Sequence, residues 1–304
     1  MTVSMVKNKL ISSSIVIPNY NGLDLLSRNL KYLLKATNNN KNRISEVIVV
    51  DDASTDESVR FIKENFAGFK IIRHKVNRGF SSTVNTGART ARSDLIVLLN
   101  NDVKPEQDFL ESIYIHFNDD KLFALSLHEK GYGWAKGVFE KGFINHKPGK
   151  EGTTTTDTFW VSGGSGVFRR SYWLKLKGLD VDLFKFYWED VDLCYRAQKR
   201  GWKLLWDPKA KVEHKHESTT SKVFSKKKMS LMQEVNQLTF IWKNLTSPIL
   251  IRKHILGLLG RLTGHPGYIR VIIHCIFKFR KIIKARKKEI KESKVSDEAI
   301  FAKF

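Results

Sequence analysis

Cysteine is nearly missing from this chain of 304 residues. It has two, Cys194 and Cys275, and neither sits at metal-ligand spacing. That excludes a disulfide scaffold and a zinc site, and it fits a reducing compartment. Long uncharged apolar runs are missing too. The most apolar stretch, Ile249 to Phe277, is broken by Arg252, Lys253, Arg261 and Arg270, whereas a transmembrane helix wants about 20 mostly apolar residues. No secretory signal is read in Met1 to Ser14, where a short apolar stretch runs straight into a strand pattern. No internal repeat is found. No Gly-x-Gly-x-x-Gly follows the first strand, which argues against a dinucleotide oxidoreductase. Acidic residues are also scarce: 31 Asp and Glu face 53 Lys and Arg, a net charge of +22. Residues 222–304 alone hold 19 Lys/Arg against 5 Asp/Glu, which is +14 of that excess. Such a block favours an anionic partner, a membrane surface or nucleic acid. Nucleic acid would require aromatics interleaved with the basic residues as base platforms. The tail has aliphatic stripes instead, so no nucleic acid is expected.

What is present supports a real core, since 41% of residues are hydrophobic and 11% aromatic. Ser14 to Pro18, Glu46 to Val50, Phe69 to Arg73 and Leu95 to Leu99 read as strands. Leu26, Leu30, Leu33 and Leu34, then Val59 to Asn65, then Val84, Ala88 and Ala91 read as helices between them. This alternation predicts βαβ units and a largely parallel sheet, with ligands beyond the carboxyl ends of the strands. Regularity fades from about 126 to 158, where loops and short strands are expected. Trp160 to Phe168 reads as a strand whose glycines let backbone approach a ligand. A helix opens at Glu189 and ends near Gly201, and a short strand at Lys203 to Trp206 leads to His214 and His216. Beyond Ser221 two apolar faces recur at helical spacing, Ile255/Leu258/Leu259/Leu262 and Ile272/Ile276/Phe279/Ile283. The last dozen residues are expected to fray. The division is therefore residues 1–221, an α/β domain, and 222–304, a basic amphipathic helical extension.

Three turns at strand or helix ends carry the polar chemistry. Asp51 and Asp52 can accept hydrogen bonds from a base N–H or a ribose hydroxyl; the alternative is that Asp52 or Ser54 caps the following helix. Arg78 and Gly79 would let guanidinium and backbone approach a nucleotide. Asn100-Asn101-Asp102 closes the fourth strand, and Trp188-Glu189-Asp190 opens a helix.

Ser14 to Gly22, Val50 to Asp56, Asn77-Arg78-Gly79-Phe80 with Asn85 and Gly87, Leu99 to Asp102, and Trp188-Glu189-Asp190 together resemble family 2 glycosyltransferases, in order and spacing over residues 14–216. The motifs are closest to bacterial rhamnosyltransferase-like members. The resemblance implies a GT-A fold, a nucleoside-diphosphate-sugar donor, a divalent metal (Mn2+ or Mg2+) and inversion at the anomeric carbon. It implies a donor site of Pro18, Asn19, Tyr20, Asp51, Asp52, Arg78, Gly79, Asn85, Asn100 and Asn101. Asn100-Asn101-Asp102 stands where the family has Asp-x-Asp. Asp102 would supply a carboxylate to the metal, Asn100 a carbonyl oxygen or a ribose contact, and His214 an imidazole. Asp190 matches the general base, kept ionised by the helix start, and Glu189 would orient acceptor or base. Trp188, Gly163 and Gly164 fall on the acceptor side. The acceptor would be a saccharide, free or lipid-linked, in cell-surface polysaccharide assembly. The expected location is cytoplasmic, on the inner face of the membrane, with the tail lying on an anionic leaflet. The alternative for the tail is plain packing on the first domain.

Overall fold

The computed structural model describes residues 10–214 and 225–304. Its first part alternates strand and helix: β1 (Ser13–Asn19), α1 (Leu23–Thr37), β2 (Ile44–Asp51), α2 (Ser58–Asn65), β3 (Lys70–Arg73), α3 (Phe80–Thr90) and β4 (Leu95–Leu99). β1 pairs in parallel with β2 and β4, and β2 with β3. The continuous apolar runs are explained by cover on both faces. Because side chains alternate along a strand, Ile15, Ile17, Val49, Val97 and Leu99 pack with Leu26, Leu30 and Leu33 of α1 and Ile62 of α2. Val16, Ile48, Val50, Ile96 and Leu98 pack with Val84 and Ala88 of α3. α3 lies close because Gly87 faces Val16; a Cβ there would come within 2.3 Å of Val16 Cγ1.

The second part is mixed where the sequence suggested mostly parallel pairing. It comprises β5 (Val103–Pro105), β6 (Leu122–Glu129), β7 (Ala135–Glu140), β8 (Phe143–Pro148), β9 (Thr156–Asp157), β10 (Ser165–Arg169), α4 (Arg170–Leu176), α5 (Glu189–Lys199) and β11 (Lys203–His214). The sheet runs β3-β2-β1-β4-β10-β6-β11-β5, with β9 on β11. β10 is antiparallel to both β4 and β6, whereas β6 and β11 are parallel. The stretch 126–158 holds the end of β6, a separate antiparallel hairpin, β7–β8, and the short β9.

The tail forms α6 (Lys226–Asn244), α7 (Pro248–Gly264), α8 (Ile269–Phe277), α9 (Phe279–Glu292) and α10 (Asp297–Phe301). These helices share one core with the hairpin and α5, in which Phe143, Ile144, Phe159, Val191 and Tyr195 meet Leu238, Phe240, Ile241, Val271, Cys275, Ile282 and Ile300. The expected boundary at residues 221 and 222 lies outside the described residues; on either side of it the two segments share this core. Two expectations for the tail are corrected. The last dozen residues do not fray, because Asp297 and Ile300 are fully buried. Asp297 pairs with buried Lys199 at 2.8 Å and accepts from Tyr195 Oη at 2.6 Å. The apolar faces also split. Leu258, Leu262 and Ile272 pack partly on the shared core, while Ile255, Leu259, Ile276 and Phe279 stay exposed. The apolar stripe is wider than the face that docks. Among the described residues no helix is long and apolar enough to cross a membrane.

Candidate active site

The strand ends do converge. A cleft of about 570 Å³ is lined by Pro18, Asn19, Tyr20, Asp52, Asn77, Gly79, Phe80, Thr83, Asn100, Asn101, Asp102, Ser162, Gly163, Gly164, Phe186, Tyr187, Glu189, Asp190 and His214. That volume is in the range of small-molecule sites.

The turns after β1, β2 and β4 are tied to one another. Asn19 Oδ1 accepts from Asn101 Nδ2 at 3.0 Å, and Asn19 Nδ2 donates to Asp51 Oδ1 at 3.2 Å. Gly22 must be small here, since a Cβ would lie 2.2 Å from Asn101 Nδ2. Asp52 faces the loop after β3. Its oxygens accept the backbone N–H of Arg78 (2.9 Å) and Gly79 (2.8 Å) and approach His74 Nδ1 at 2.7 Å. Gly79 adopts φ +83° at the start of α3, a conformation glycine takes without strain. Asp52 thus fixes the cleft wall and caps no helix.

Four residues assigned to the site from sequence lie off the cleft wall. Asp51 is fully buried, and its carboxylate accepts from Ser54 N at 3.1 Å and pairs with Arg73. Asp51 ends β2 and Asp52 is the first residue beyond it, and of the two only Asp52 lines the cleft. Asn85 is buried and bonds both backbone groups of Leu179, locking α3 to the 177–184 loop. The Arg78 side chain points to solvent and only its backbone is used. Trp188 packs on Phe240 and His146 with ring centroids 5.2 and 5.9 Å away. His216 lies outside the described residues.

On the opposite wall, His214 Nε2 lies 3.1 Å from Asp102 Oδ1 and Nδ1 lies 3.0 Å from Glu129 Oε1. Glu129, at the end of β6, carries no motif and was missed from sequence. Burial alone would lower the His214 pKa, but the facing carboxylates of Asp102 and Glu129 raise it to about 9. The approach to Asp102 is an ion-pair contact without an aligned hydrogen bond, so Asp102 Oδ1 and Asn100 Oδ1 are both buried oxygens lacking a hydrogen-bond partner. Two orphaned oxygens and an imidazole suit a hard or borderline divalent cation. Among the described residues, no group of three or more His, Cys, Asp or Glu could hold an ion by itself. A cation here would have to share ligands with a bound phosphate. Gly164 leaves the room, as a Cβ there would come 2.5 Å from Asn100 Nδ2.

Facing this wall is the start of α5. Tyr187 and Trp188 both take positive φ, +64° and +70°. Such strain concentrates at functional sites, and here it turns the chain so that Glu189 and Asp190 face the cleft. Asp190 Oδ2 accepts the Gly163 N–H at 3.2 Å, and Oδ1 accepts the Val191 N–H at 2.8 Å. Burial raises the Asp190 pKa to about 6, with the backbone donors pulling it only part of the way back. The helix start was expected to keep this carboxylate fully ionised, but desolvation outweighs it. Glu189 is buried with Oε2 unpartnered, and burial followed by the Asp190 charge pushes its pKa well above the carboxylate range. Burial thus pushes both adjacent carboxyl groups toward their protonated forms, and the Asp190 charge pushes Glu189 further in the same direction.

Known proteins resemble this chain. It is 27% identical over 179 residues to a Pre-mycofactocin glycosyltransferase of Mycobacterium tuberculosis, covering 56% of this chain and 37% of that one. It is 22% identical over 229 residues to the O-antigen chain rhamnosyltransferase RfbN of Salmonella typhimurium, covering 70% and 69%. The chain thus spans little more than a third of the first relative's length. Among solved structures, GalNAc-T7 with UDP, GalNAc and Mn2+ superposes with a TM-score of 0.64 at 17% identity, covering 79% of this chain and 49% of that one. Mannosyltransferase PcManGT of Pyrobaculum calidifontis, in complex with GDP-Man and Mn2+, gives 0.56 at 14% identity, covering 93% and 86%. These likenesses identify the fold as GT-A. Residues 14–173, more than half the chain, match the family described as Glycosyl transferase family 2, and the chain belongs to that family.

Proposed function

We propose that the chain transfers a sugar from a nucleoside diphosphate to a saccharide acceptor, with inversion at the anomeric carbon. The observation that carries this is the pairing, in one cleft, of the unpartnered Asp102 and Asn100 oxygens and His214 with the desolvated carboxyl of Asp190. Asn19, Tyr20 and Asn101 line the nucleotide side. Asp102, His214 and the Asn100 carbonyl would hold a divalent ion, Mn2+ or Mg2+, together with the diphosphate. Such an ion neutralises charge on the leaving group. Asp190 takes the proton of the acceptor hydroxyl as its oxygen bonds to the anomeric carbon and the bond from that carbon to the diphosphate oxygen breaks. Gly163 and Val191 N–H hold the carboxylate in place. Glu189, whose buried carboxyl is shifted toward its protonated form, would in that form donate a hydrogen bond to the acceptor.

The acceptor class is read as an envelope saccharide, in keeping with the O-antigen rhamnosyltransferase relative. The tail supports a lipid-linked form and a place on the inner face of the cytoplasmic membrane. Leu256 and Phe277 are 69% and 84% exposed, and Ile249, Leu259, Ile269, Ile273 and Ile276 are exposed beside them. Arg252, Lys253, Arg270 and Arg280 are exposed with them. Exposed apolar and cationic groups alternating along these helices fit an anionic leaflet. Function is tested with UDP-GlcNAc, GDP-mannose and dTDP-rhamnose in thermal unfolding with and without Mn2+. A donor raises the melting point only if it binds the native state, and Asp190→Asn should keep that shift while losing turnover. Absence of any Mn2+-dependent shift, or full turnover by the variant, would overturn the reading.

A further inference from the structure

Three carboxylates, Glu189, Asp190 and Asp192, crowd the first turn of α5. Asp192 is fully buried. An unmatched buried charge there would drive its neighbours toward their protonated forms. Asp192 is matched from two elements. Arg196, one turn on in the same helix, brings Nε to 2.7 Å from Oδ2, and its other nitrogens donate to the carbonyls of Leu176 and Gly178. From the tail helix α6, Lys243 Nζ reaches Oδ2 at 2.8 Å and Asn244 Nδ2 reaches Oδ1 at 2.8 Å. Lys243 is itself buried and also pairs with Asp180 Oδ2 at 2.8 Å. The result is that Asp192 sits lowered in pKa despite its burial. Above it, Asp190 meets the N–H groups of Gly163 and Val191, with Tyr187, Cys194 and Asp192 as the titratable neighbours of the Glu189–Asp190 pair.

Burying a lysine is costly, and an apolar contact would have packed α6 on α5 equally well. The tail instead delivers a cation and an amide to the one buried carboxylate beneath the base. We infer that Lys243 is a positioning residue for transfer: with Asn244 it anchors Asp192, fixes the turn that presents Glu189 and Asp190, and cancels a negative charge behind them. This rests on reading Asp190 as the base.

The test needs no donor or acceptor. Full-length protein labelled at the Asp and Glu carboxyl carbons is titrated by NMR, with Asp190→Asn giving the assignment. Lys243→Met should move the titration of the Glu189–Asp190 pair up by roughly half to one pH unit, as expected on losing a nearby opposite charge. Asp192→Asn in the Lys243→Met background should bring it back, and Lys243→Arg should leave it in place. Asp180→Asn is a gentler second variant, since that side chain is partly exposed and keeps its Oδ1 acceptor for the Asp182 and Leu183 N–H groups. It leaves Lys243 to Asp192 alone and should move the titration down. An unmoved titration in folded Lys243→Met, or a shift that Asp192→Asn does not reverse, overturns the inference. If Lys243→Met does not fold, an unmoved titration in Asp180→Asn overturns it. Full turnover by Asp190→Asn would instead sink the assignment of the base, whatever the titration shows.

Discussion

His214 Nδ1 lies 3.0 Å from Glu129 Oε1, and the two residues are 85 apart in sequence. They meet because β6 and β11 are neighbours in the sheet. A carboxylate on the far nitrogen of a metal-binding histidine fixes its tautomer and ring orientation, and loss of such a partner typically costs about 10–100-fold in metal affinity. Glu129→Gln should therefore weaken Mn2+ binding in the presence of UDP by about that factor. Calorimetric titration measures it; an unchanged affinity would show that Glu129 does not serve His214.

The same imidazole sets a pH dependence. Its folded pKa of about 9 stands above the ordinary 6.5. A raised histidine stabilises the metal-free fold fully below pH 6.5, and that contribution is lost as pH climbs through 9. Thermal unfolding of metal-free wild type should thus fall between these pH values more steeply than that of His214→Gln. Cation binding must displace the proton, so Mn2+ affinity should rise about tenfold per pH unit up to about pH 9. A flat affinity over that range would remove His214 from the ligand set.

Asp190→Asn should lose about 10²–10⁴-fold in turnover and yet stabilise the protein. Ionised Asp190 is disfavoured in the fold, since its pKa rises from 3.8 to about 6. A carboxylate raised in this way favours folding at low pH and loses that contribution as pH climbs through 6. The gain from Asn should therefore vanish near pH 4 and grow to about 3 kcal/mol once the pH is well above 6. Glu189→Gln copies the protonated form that burial favours and should not destabilise the protein at pH 8. Melting curves at pH 4 and pH 8 decide this; an Asp190→Asn variant less stable at pH 8 would contradict it.

Replacing Leu256 and Phe277 by serine should reduce sedimentation with vesicles containing anionic phosphatidylglycerol and leave the melting temperature nearly unchanged, because both side chains are exposed. Added salt should weaken wild-type binding through the basic residues, each worth about 1 kcal/mol near an anionic surface. Removing residues 249–304 should by contrast unfold or aggregate the protein, since Val271, Cys275, Ile282 and Ile300 belong to the shared core. Wild type that ignores these vesicles at low salt would overturn the membrane reading.

The strands β1, β2 and β4 were legible because each holds a continuous apolar run, which a doubly covered parallel strand needs, and the edge strand β3 was legible from Ile71 and Ile72 between the helices. The hairpin β7–β8 was not, because AKGVFE and FINHKP mix small, charged and aromatic residues and take their cover from the tail. Local sequence cannot announce a partner about a hundred residues away. The lining of the cleft was legible where a motif names one side chain, as with Asp102 and Asp190. It was not legible where a motif joins the last residue of a strand to the turn beyond it, as with Asp51, or mixes wall with support, as with Asn85 and Trp188. Glu129 left one usable signal: the apolar run Leu122 to Leu127 ends in His128-Glu129 just as the other strands end in polar residues at the cleft.

The pairing of Lys199 with Asp297 bears on when the protein becomes competent during synthesis. The two residues are 98 apart, so the helix that carries Glu189 and Asp190 leaves the ribosome long before its final anchor does. Contacts of such separation close late. Until residues 297–304 have emerged, α5 lacks Asp297 against Lys199 and Tyr195, and Phe159 lacks Phe301 and Phe304. Nascent chains stalled short of residue 297 should therefore remain open to protease around α5, more so than around β1 to β4.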